Sequence, residues 1–443
     1  MNLVKSKSNL LVICYPLDWH WALSFEFLNH QNKLGLNYEV LDLSYVGENG
    51  FRRLIRSILG GSKLQKAISK NWKDKKVLVS KKKQIWYFYI AGKSKGYSKL
   101  YEVDLASAKE AFNSIVERVG NLKPDVGSDS KIINQEIFAR EKIRLELSSI
   151  NPSNFSTVVT VNGRFTKSAV VTTWAKVNNV PISYIEFGSS ATKFEVYKRS
   201  PQSIEEIEFK INDLWNSSNQ IIRELNAENY LNKIIKNSGL SEIDWRSSMK
   251  QGEVPEKGTK KICTFFASTE LEYVGVGDQI PQENFQNQVE AFKGLVALLD
   301  KDDWDIYLRM HPNNPKNKIQ GAESFIWDDF KEFNHITIIE SDSSIDSLGL
   351  GKNSDLVASF GSNIAMEFVA RGLSKVLTLG PAPWNKLLPN LFRPNSNSLA
   401  SYLNSDNEYT NVHSIFPWAF FVSTYGIDFE FLKFDKDLSN WCF

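Results

Sequence analysis

The chain has 443 residues, 42% hydrophobic and 23% charged, enough for two or three independently cored domains and unlike a disordered protein. Its 53 basic and 51 acidic residues leave a formal charge of +2, so nothing in the total calls for a nucleic-acid partner. Cys14, Cys263 and Cys442 are far apart and lack Cys-x-x-Cys or Cys/His ligand spacing, which argues against a disulfide framework or a structural zinc.

In chain order, the apolar run at 10–17 is broken by Pro16 and followed by Asp18 and His20, with no small-residue cleavage site, so it reads as a first strand and not a leader. No stretch approaches the roughly 18 uninterrupted apolar residues of a membrane-spanning helix. The expectation is a cytoplasmic protein with at most peripheral membrane contact. Residues 63–99 interleave Lys81, Lys82, Lys83 and other lysines with Trp72, Trp86, Tyr87, Phe88 and Tyr89. That mixture suits an anionic membrane face or a phosphate-bearing lipid-linked acceptor, or else a solvated hairpin whose aromatics fill the core.

Helical spacing of Phe112, Ile115, Val116 and Val119 precedes a strand at 157–161, a helix at 166–177 and a strand at 182–186. Residues 244–259 are polar, carry Gly252, Pro255 and Gly258, and lack a sustained apolar period. Beyond them strands at 261–267, 304–310, 336–340, 356–360 and 376–379 alternate with helices at 284–299 and 363–371. Such alternation implies βαβ units and parallel sheets covered on both faces. The tail has polar loops and an aromatic block, Phe416, Trp418, Phe420 and Phe421, in which Pro417 argues against a central strand or helix interior. The sequence therefore predicts an α/β protein of two Rossmann-like parallel-sheet domains facing each other across a cleft. The expected boundaries are 1–245, a hinge at 246–259, a second domain at 260–402 and a packing tail at 403–443.

Ligands of open parallel sheets bind beyond the carboxyl ends of the strands, which directs attention to the residues following each predicted strand. Ser268 and Thr269, followed by Glu270, offer hydroxyls and amides to an oxygen-rich ligand, or cap a turn. Arg309 and His311, the latter before Pro312 and Asn313, follow the next strand. A histidine there can bond a leaving phosphate, whereas Arg309 suits either a phosphate clamp or a buried carboxylate partner. The loop Ser359-Phe360-Gly361-Ser362-Asn363 reads as a phosphate cradle: Gly361 permits close backbone approach, and Ser362, Asn363 and the helix start supply donors. It is neither a Walker loop nor a dinucleotide fingerprint. Glu367, one turn on, either receives ribose hydroxyls or lies on a solvated helix face. In the first half Asn162, Arg164 and Glu186 follow neighbouring strands; Glu186 suits a general base or acceptor-binding carboxylate and Arg164 a counter-charge for an anionic donor or acceptor, or the two form a structural pair.

At these residues the chain resembles bacterial capsule polysaccharide biosynthesis proteins, a family of GT-B glycosyltransferases that includes the 3-deoxy-manno-octulosonic acid (Kdo) transferases. The resemblance covers most of 260–385. It is carried by Phe265-Phe266-Ala267-Ser268-Thr269 with Glu272, Arg309-Met310-His311-Pro312-Asn313, and the stretch from Ser354-Asp355-Leu356 through Gly361-Ser362-Asn363, Glu367, Gly372 and Gly380. It implies that His311, Ser362, Asn363 and Glu367 surround a donor nucleotide and its phosphate, with CMP as the leading base. Asn162-Gly163 and Glu186-Phe187-Gly188 look like acceptor-side segments of that family. The chain departs from it in having Gly372-Leu373-Ser374 before its last core strand. It also lacks the paired glutamates of many retaining GT-B enzymes, with Ser359 and Lys375 standing eight residues either side of Glu367.

The resulting expectation is a glycosyltransferase that moves a sugar from a nucleotide-sugar to a surface or capsule polysaccharide or its lipid-linked acceptor. A teichoic-acid-like polyol-phosphate transferase and a non-catalytic glycan-binding subunit are the alternatives. No cofactor is expected and no metal site, because the Asp-x-Asp pairs at Asp300/Asp302, Asp303/Asp305 and Asp435/Asp437 do not follow strands.

Overall fold

A computed structural model describes residues 7–44, 46, 62–72, 77–79, 109–119, 127–236, 252–268, 283–311, 327, 330–331, 333–373, 375–404, 411–435 and 440–442. Thr269, Pro312, Asn313 and the lysines Lys81, Lys82 and Lys83 lie outside them. The chain divides into two compact units, one of residues 1–119, 123–201 and 426–443, the other of 120–122 and 202–425.

Unit 1 begins with β1 (Ser8–Ile13), α1 (Asp18–Lys33), β2 (Tyr38–Asp42), α2 (Lys63–Asn71) and β3 (Val77–Val79). It continues through α3 (Lys109–Val119), α4 (Ser130–Ser148), β4 (Phe155–Val161), α5 (Thr166–Val177), β5 (Ile182–Phe187) and β6 (Lys193–Tyr197). Strands β3-β2-β1-β4-β5 are parallel, and β6 closes antiparallel on β5. Both faces of β1 are covered. Leu11 and Ile13 pack with Phe25, Phe27 and Leu28 of α1, whereas Leu10 and Val12 pack with Ile143, Leu147, Val170 and Val171 of α4 and α5. A strand buried on both faces has to be apolar at every position, which is why the first strand could be read without an alternating pattern.

Unit 2 opens with α6 (Ile204–Ser217) and α7 (Gln220–Lys236), then β7 (Lys261–Phe266), α8 (Gln288–Leu298), β8 (Trp304–Arg309) and β9 (Ile336–Ile339). It continues with α9 (Ser347–Asn353), β10 (Leu356–Ser359), α10 (Ile364–Ala370), β11 (Val376–Thr378), α11 (Ser396–Leu403) and α12 (Phe416–Thr424). Its five strands run parallel in the order β11-β10-β7-β8-β9. The last stretch returns to unit 1 as β12 (Ile427–Asp428), antiparallel to β6, and the ribbon β13 (Lys433–Asp435) with β14 (Asn440–Cys442).

The units depart from the expected boundaries, and packing explains each departure. Residues 202–236 were expected in the first domain. Instead Ala227, Leu231 and Ile234 of α7 share one core with Phe266, Val357, Met366 and Phe368 of unit 2, and with Trp418 and Phe420 of α12. Full burial of one such side chain contributes about 1.5–3 kcal/mol, so the shared core outweighs proximity in sequence. Pro417 stands in the first turn of α12, where a missing N–H costs nothing, so the aromatic block forms a helix.

The expected hinge is fastened to unit 2 along its described part. Gly252 N donates to Asp346 Oδ2 at 3.0 Å, Asp346 N donates to Glu253 O at 2.8 Å, and Lys257 Nζ pairs with Asp355 at 3.0 Å. The tail divides, α12 lying in unit 2 and β12–β14 in unit 1.

The tail is held to unit 1 by a carboxylate. Glu26 on α1, 2% exposed, accepts from the backbone N–H groups of Glu430, Phe431 and Leu432 at 2.9, 2.9 and 2.6 Å. Burial pushes its carboxyl pKa up while the three donors pull it down.

Candidate functional site

In unit 2 the chain runs from β7 outward to β8 and β9, then returns to β10 on the other flank of β7. Strand order therefore reverses between β7 and β10, the place where open α/β sheets form their ligand crevice. Register brings the strand ends level: Ser359 pairs with Phe266, which pairs with Arg309. Ser268, His311 and the loop Gly361-Ser362-Asn363 consequently follow three adjacent strands at one edge.

Gly361 has φ +73°, a conformation that glycine adopts without penalty, and it turns the chain from β10 into α10. Ser362 is half-buried and its Oγ accepts from Ile364 N at 3.4 Å; Asn363 is exposed, and its side chain makes no capping bond. Both offer polar groups at the edge. Glu367 lies half-buried one turn into α10.

His311 is half-buried, and its pKa is lowered to about 4, first by desolvation and then by the charge of Arg309. At neutral pH it is an uncharged imidazole, which carries one N–H and one lone pair.

Two residues expected to meet ligand do other work. Ser268 is buried; its Oγ donates to Phe360 O at 2.7 Å, and Gln288 brackets its main chain, accepting from Ser268 N at 2.9 Å and donating to Ser268 O at 3.1 Å. It stitches the ends of β7 and β10 together. Arg309, 1% exposed, is closed off from the edge and, among the described residues, feels the charge of Asp342 without a direct carboxylate bond. Its Nε donates to Ser347 Oγ at 3.1 Å, Nη1 to Glu340 O and Nη2 to Ser343 O at 3.4 Å, which ties β8 to the β9–α9 loop. Burial lowers its pKa to about 10, so it remains a cation behind the edge at neutral pH.

Unit 1 has the same kind of reversal between β1 and β4. Asn162 follows β4 in the left-handed region, φ +63°, and Gly163 comes next at φ +83°, where an added Cβ would stand 2.4 Å from the Tyr184 ring. This turn aims Asn162 Nδ2 at Glu186 Oε2, 2.6 Å away on the neighbouring strand, while Asn162 Oδ1 accepts from Arg164 N at 3.1 Å. Glu186 Oε1 also accepts from Phe187 N at 3.1 Å. Desolvation raises the Glu186 pKa, with Asn162, the Phe187 amide and the Arg164 charge pulling it back. Asn162, Arg164 and Glu186 are thus gathered in unit 1, and a carboxyl whose pKa burial raises is a stronger proton acceptor once ionised. Arg164 meets Glu186 through its charge, not as a direct ion pair.

Beside Tyr15 of the β1–α1 turn stand two residues that the sequence reading passed over, Lys167 of α5 and His20 of α1. Lys167 is buried, its Nζ donating to Ser44 O at 2.9 Å and lying 5.1 Å from the Tyr15 ring centroid. His20 is fully buried between Tyr15 and Trp19, with ring centroids 5.1 and 4.0 Å away. Neither of its ring nitrogens has a hydrogen-bond partner among the described residues. Burial, with the Lys167 charge, lowers its pKa to about 3. Its place just after the first strand was the available signal.

Cys14 and Cys263 are buried free thiols and Cys442 is an exposed one; burial pushes the Cys14 thiol up to about 12, far from a reactive thiolate. Among the described residues no group of three or more His, Cys, Asp or Glu is placed to hold a metal ion, and no helix is long and apolar enough to cross a membrane.

The chain is an α/β protein of two Rossmann-like parallel-sheet units, each with polar side chains gathered at the carboxyl edge beside its strand-order reversal. No protein-family model matches it, and no curated protein matches it in sequence. Among solved structures it is similar to KpsC of Thermosulfurimonas dismutans, a β-Kdo 2,4-transferase, at 14% identity, over 61% of this chain and 80% of that one, with a TM-score of 0.41. It is also similar to the UDP-GlcNAc 2-epimerase of Methanocaldococcus jannaschii, in complex with UDP-GlcNAc and UDP, at 13% identity, 92% and 97% coverage and a TM-score of 0.30. The wall teichoic acid polymerase TagF matches at 14% identity, 63% of this chain and 55% of that one, with a TM-score of 0.23.

Proposed function

We propose that the chain is a metal-independent GT-B glycosyltransferase that takes a sugar from a nucleotide-sugar, CMP-linked first among the candidates, and adds it to a surface or capsule glycan or its lipid-linked form. One observation carries the reading. The level ends of β10, β7 and β8 set Gly361-Ser362-Asn363 and His311 along the edge where unit 2 reverses its strand order, with the Arg309 cation fixed behind them. The sequence resemblance of these same segments to capsule glycosyltransferases supports it.

In this reading the acceptor hydroxyl attacks the anomeric carbon of the donor as the bond from that carbon to the phosphate oxygen breaks. The leaving nucleotide gains negative charge. His311 donates its N–H to the departing phosphate, Ser362 and Asn363 bond its oxygens, and Glu367 receives the ribose. Neutral imidazole suits this task because its N–H bonds the phosphate without a charge that would hold the product. On the acceptor side, unit 1 offers Glu186 as a proton acceptor, with Asn162 orienting it and Arg164 as a counter-charge for an anionic substrate. Lys81, Lys82 and Lys83 would serve an anionic membrane surface, which sedimentation with anionic and neutral liposomes tests.

The test of the donor is thermal stabilisation by CMP, CDP, UDP and GDP. A nucleotide at about 100 times its dissociation constant adds roughly 2.7 kcal/mol, enough to rank the four bases. Stabilisation by none of them overturns the reading. Turnover of CDP-glycerol in place of a nucleotide-sugar would move the reaction to polyol-phosphate transfer.

A further inference from the structure

Strand β8 leads into two basic side chains of different standing. Arg309 is 1% exposed, whereas His311, two residues on, is half-buried at the edge. Alternation along β8 puts Arg309 on the same face as Tyr307, which packs on the core of Leu348, Met366 and Phe368 from α9 and α10. A buried guanidinium is balanced either by an opposite charge, which cancels its field, or by neutral dipoles, which solvate it and leave the field in place. Arg309 has the second kind of balance. Its Nε donates to Ser347 Oγ, Nη1 to Glu340 O and Nη2 to Ser343 O, a hydroxyl and two carbonyls. The described charged groups of the neighbouring elements are Glu340 and Asp342 of the β9–α9 loop, Asp346 and Lys352 at the two ends of α9, and Glu367 of α10. Asp342, an exposed residue, acts on Arg309 through its charge alone.

A tie between strand and loop does not require a charge, because an uncharged amide donates hydrogen bonds without the desolvation cost of an ion. What the ion adds is a permanent positive field beside His311, in surroundings where water screens it little. Such a field disfavours a second cation and favours an anion. We propose that Arg309 is a positioning residue that acts through His311: its charge, carried by neutral acceptors, holds the imidazole as an uncharged N–H donor and favours a phosphate at the edge without touching it. The inference rests on the reading of His311 as the donor to the leaving phosphate. It divides two tasks between two side chains, since the N–H that bonds the phosphate carries no charge and the charge that attracts the phosphate makes no contact.

The experiment follows the imidazole C–H signals by NMR against pH in the full chain without ligand. The signal missing from His311→Gln identifies His311 among the five histidines. Arg309→Gln keeps an amide for the loop and removes the charge, so His311 should bind its proton at least about tenfold more tightly, a rise of one pH unit or more. Arg309→Lys keeps the charge and loses the fork, and should stay within about threefold of the native proton affinity. An equal rise in both variants, or none in Arg309→Gln, overturns the proposal, because a purely structural tie opens His311 to water alike in the two. Melting temperatures identify a variant that has lost its fold. If Arg309→Gln is such a variant, Asp342→Asn decides, since Asp342 lies exposed outside the tie. With that opposing charge gone, pyrophosphate at pH 7.5 and low salt should bind at least about twofold more tightly, and an unchanged affinity or no binding at all overturns the proposal. Stabilisation by CMP, CDP, UDP and GDP is read on the native chain. A titration that follows the Arg309 charge without nucleotide stabilisation removes the donor reading and leaves Arg309 acting on His311. Stabilisation with a titration indifferent to that charge does the reverse.

Discussion

Asn162 Nδ2 donates to Glu186 Oε2 over 2.6 Å, joining the ends of two adjacent parallel strands through a residue held at φ +63°. The bond favours the ionised carboxylate, whereas burial favours the neutral acid. Glu186→Gln should therefore fold normally and lose at least about a hundredfold in transfer rate if the carboxylate takes the acceptor proton. Asn162→Gly tolerates the positive φ and removes only the amide. Its pH–rate profile should keep its shape with the rising limb displaced to higher pH, because a depressing influence on Glu186 is gone. Transfer at the native rate by Glu186→Gln would take this residue out of the mechanism.

His311→Ala removes a donor aimed at the leaving phosphate and leaves the β8 strand intact. The rate should fall on the order of a hundredfold, about 2.7 kcal/mol, with Ser362→Ala as a milder companion and little change in melting temperature for either. The opposite pattern, a lowered melting temperature with normal turnover per folded molecule, would make His311 a structural residue.

His20 links stability to pH. Its folded pKa, about 3, lies below the ordinary histidine value of 6.5, so between those limits the unfolded chain binds the extra proton and acid favours unfolding. Its contribution is fully present above 6.5 and is lost as pH falls toward 3. His20→Phe should remove this dependence: urea midpoints measured at pH 7.5 and 5.5 should show the variant gaining about 1.4 kcal/mol on the native chain over that interval. A constant difference at the two pH values would mean that the imidazole takes up its proton in the folded state as readily as in the unfolded chain.

Glu26 satisfies three backbone donors of the returning tail. Glu26→Ala leaves them without a partner, and at about 1–3 kcal/mol for each group left unsatisfied, unit 1 should lose several kcal/mol. Limited proteolysis should then cut first near 426–432. Equal protease resistance in the variant and the native chain would show that the ribbon is held by its aromatic contacts alone.

Leu231 tests the reassigned boundary. It is buried in the unit 2 core, and Leu231→Ala should cost about 2–5 kcal/mol. Hydrogen exchange should quicken in β10 and α12 and stay unchanged in β1 and β4. Faster exchange confined to unit 1 would return α7 to the first domain.

Much of this architecture was legible in the residues. Leu356, Val357 and Ala358 of β10 are apolar in succession because a central parallel strand is buried on both faces, and the turn residues Gly361, Asn162 and Gly163 mark strand ends by their backbone freedom. The two parallel-sheet halves and the segments Asn162–Arg164, Glu186, His311 and Ser362–Asn363 followed from that local code. What a side chain meets at long range did not. Arg309 reads the same on a strand whether it awaits a phosphate or clasps Glu340 and Ser343, and Ser268 reads the same whether its hydroxyl is open or spent on Phe360. Only the fold decides, because the partner lies 31 or 92 residues away and register alone brings it within reach. The same holds for α7 and the tail. Amphipathic spacing shows that a helix has a buried face, but the free energy of burial depends on which core accepts it, and for Leu231 and Trp418 that core belongs to unit 2.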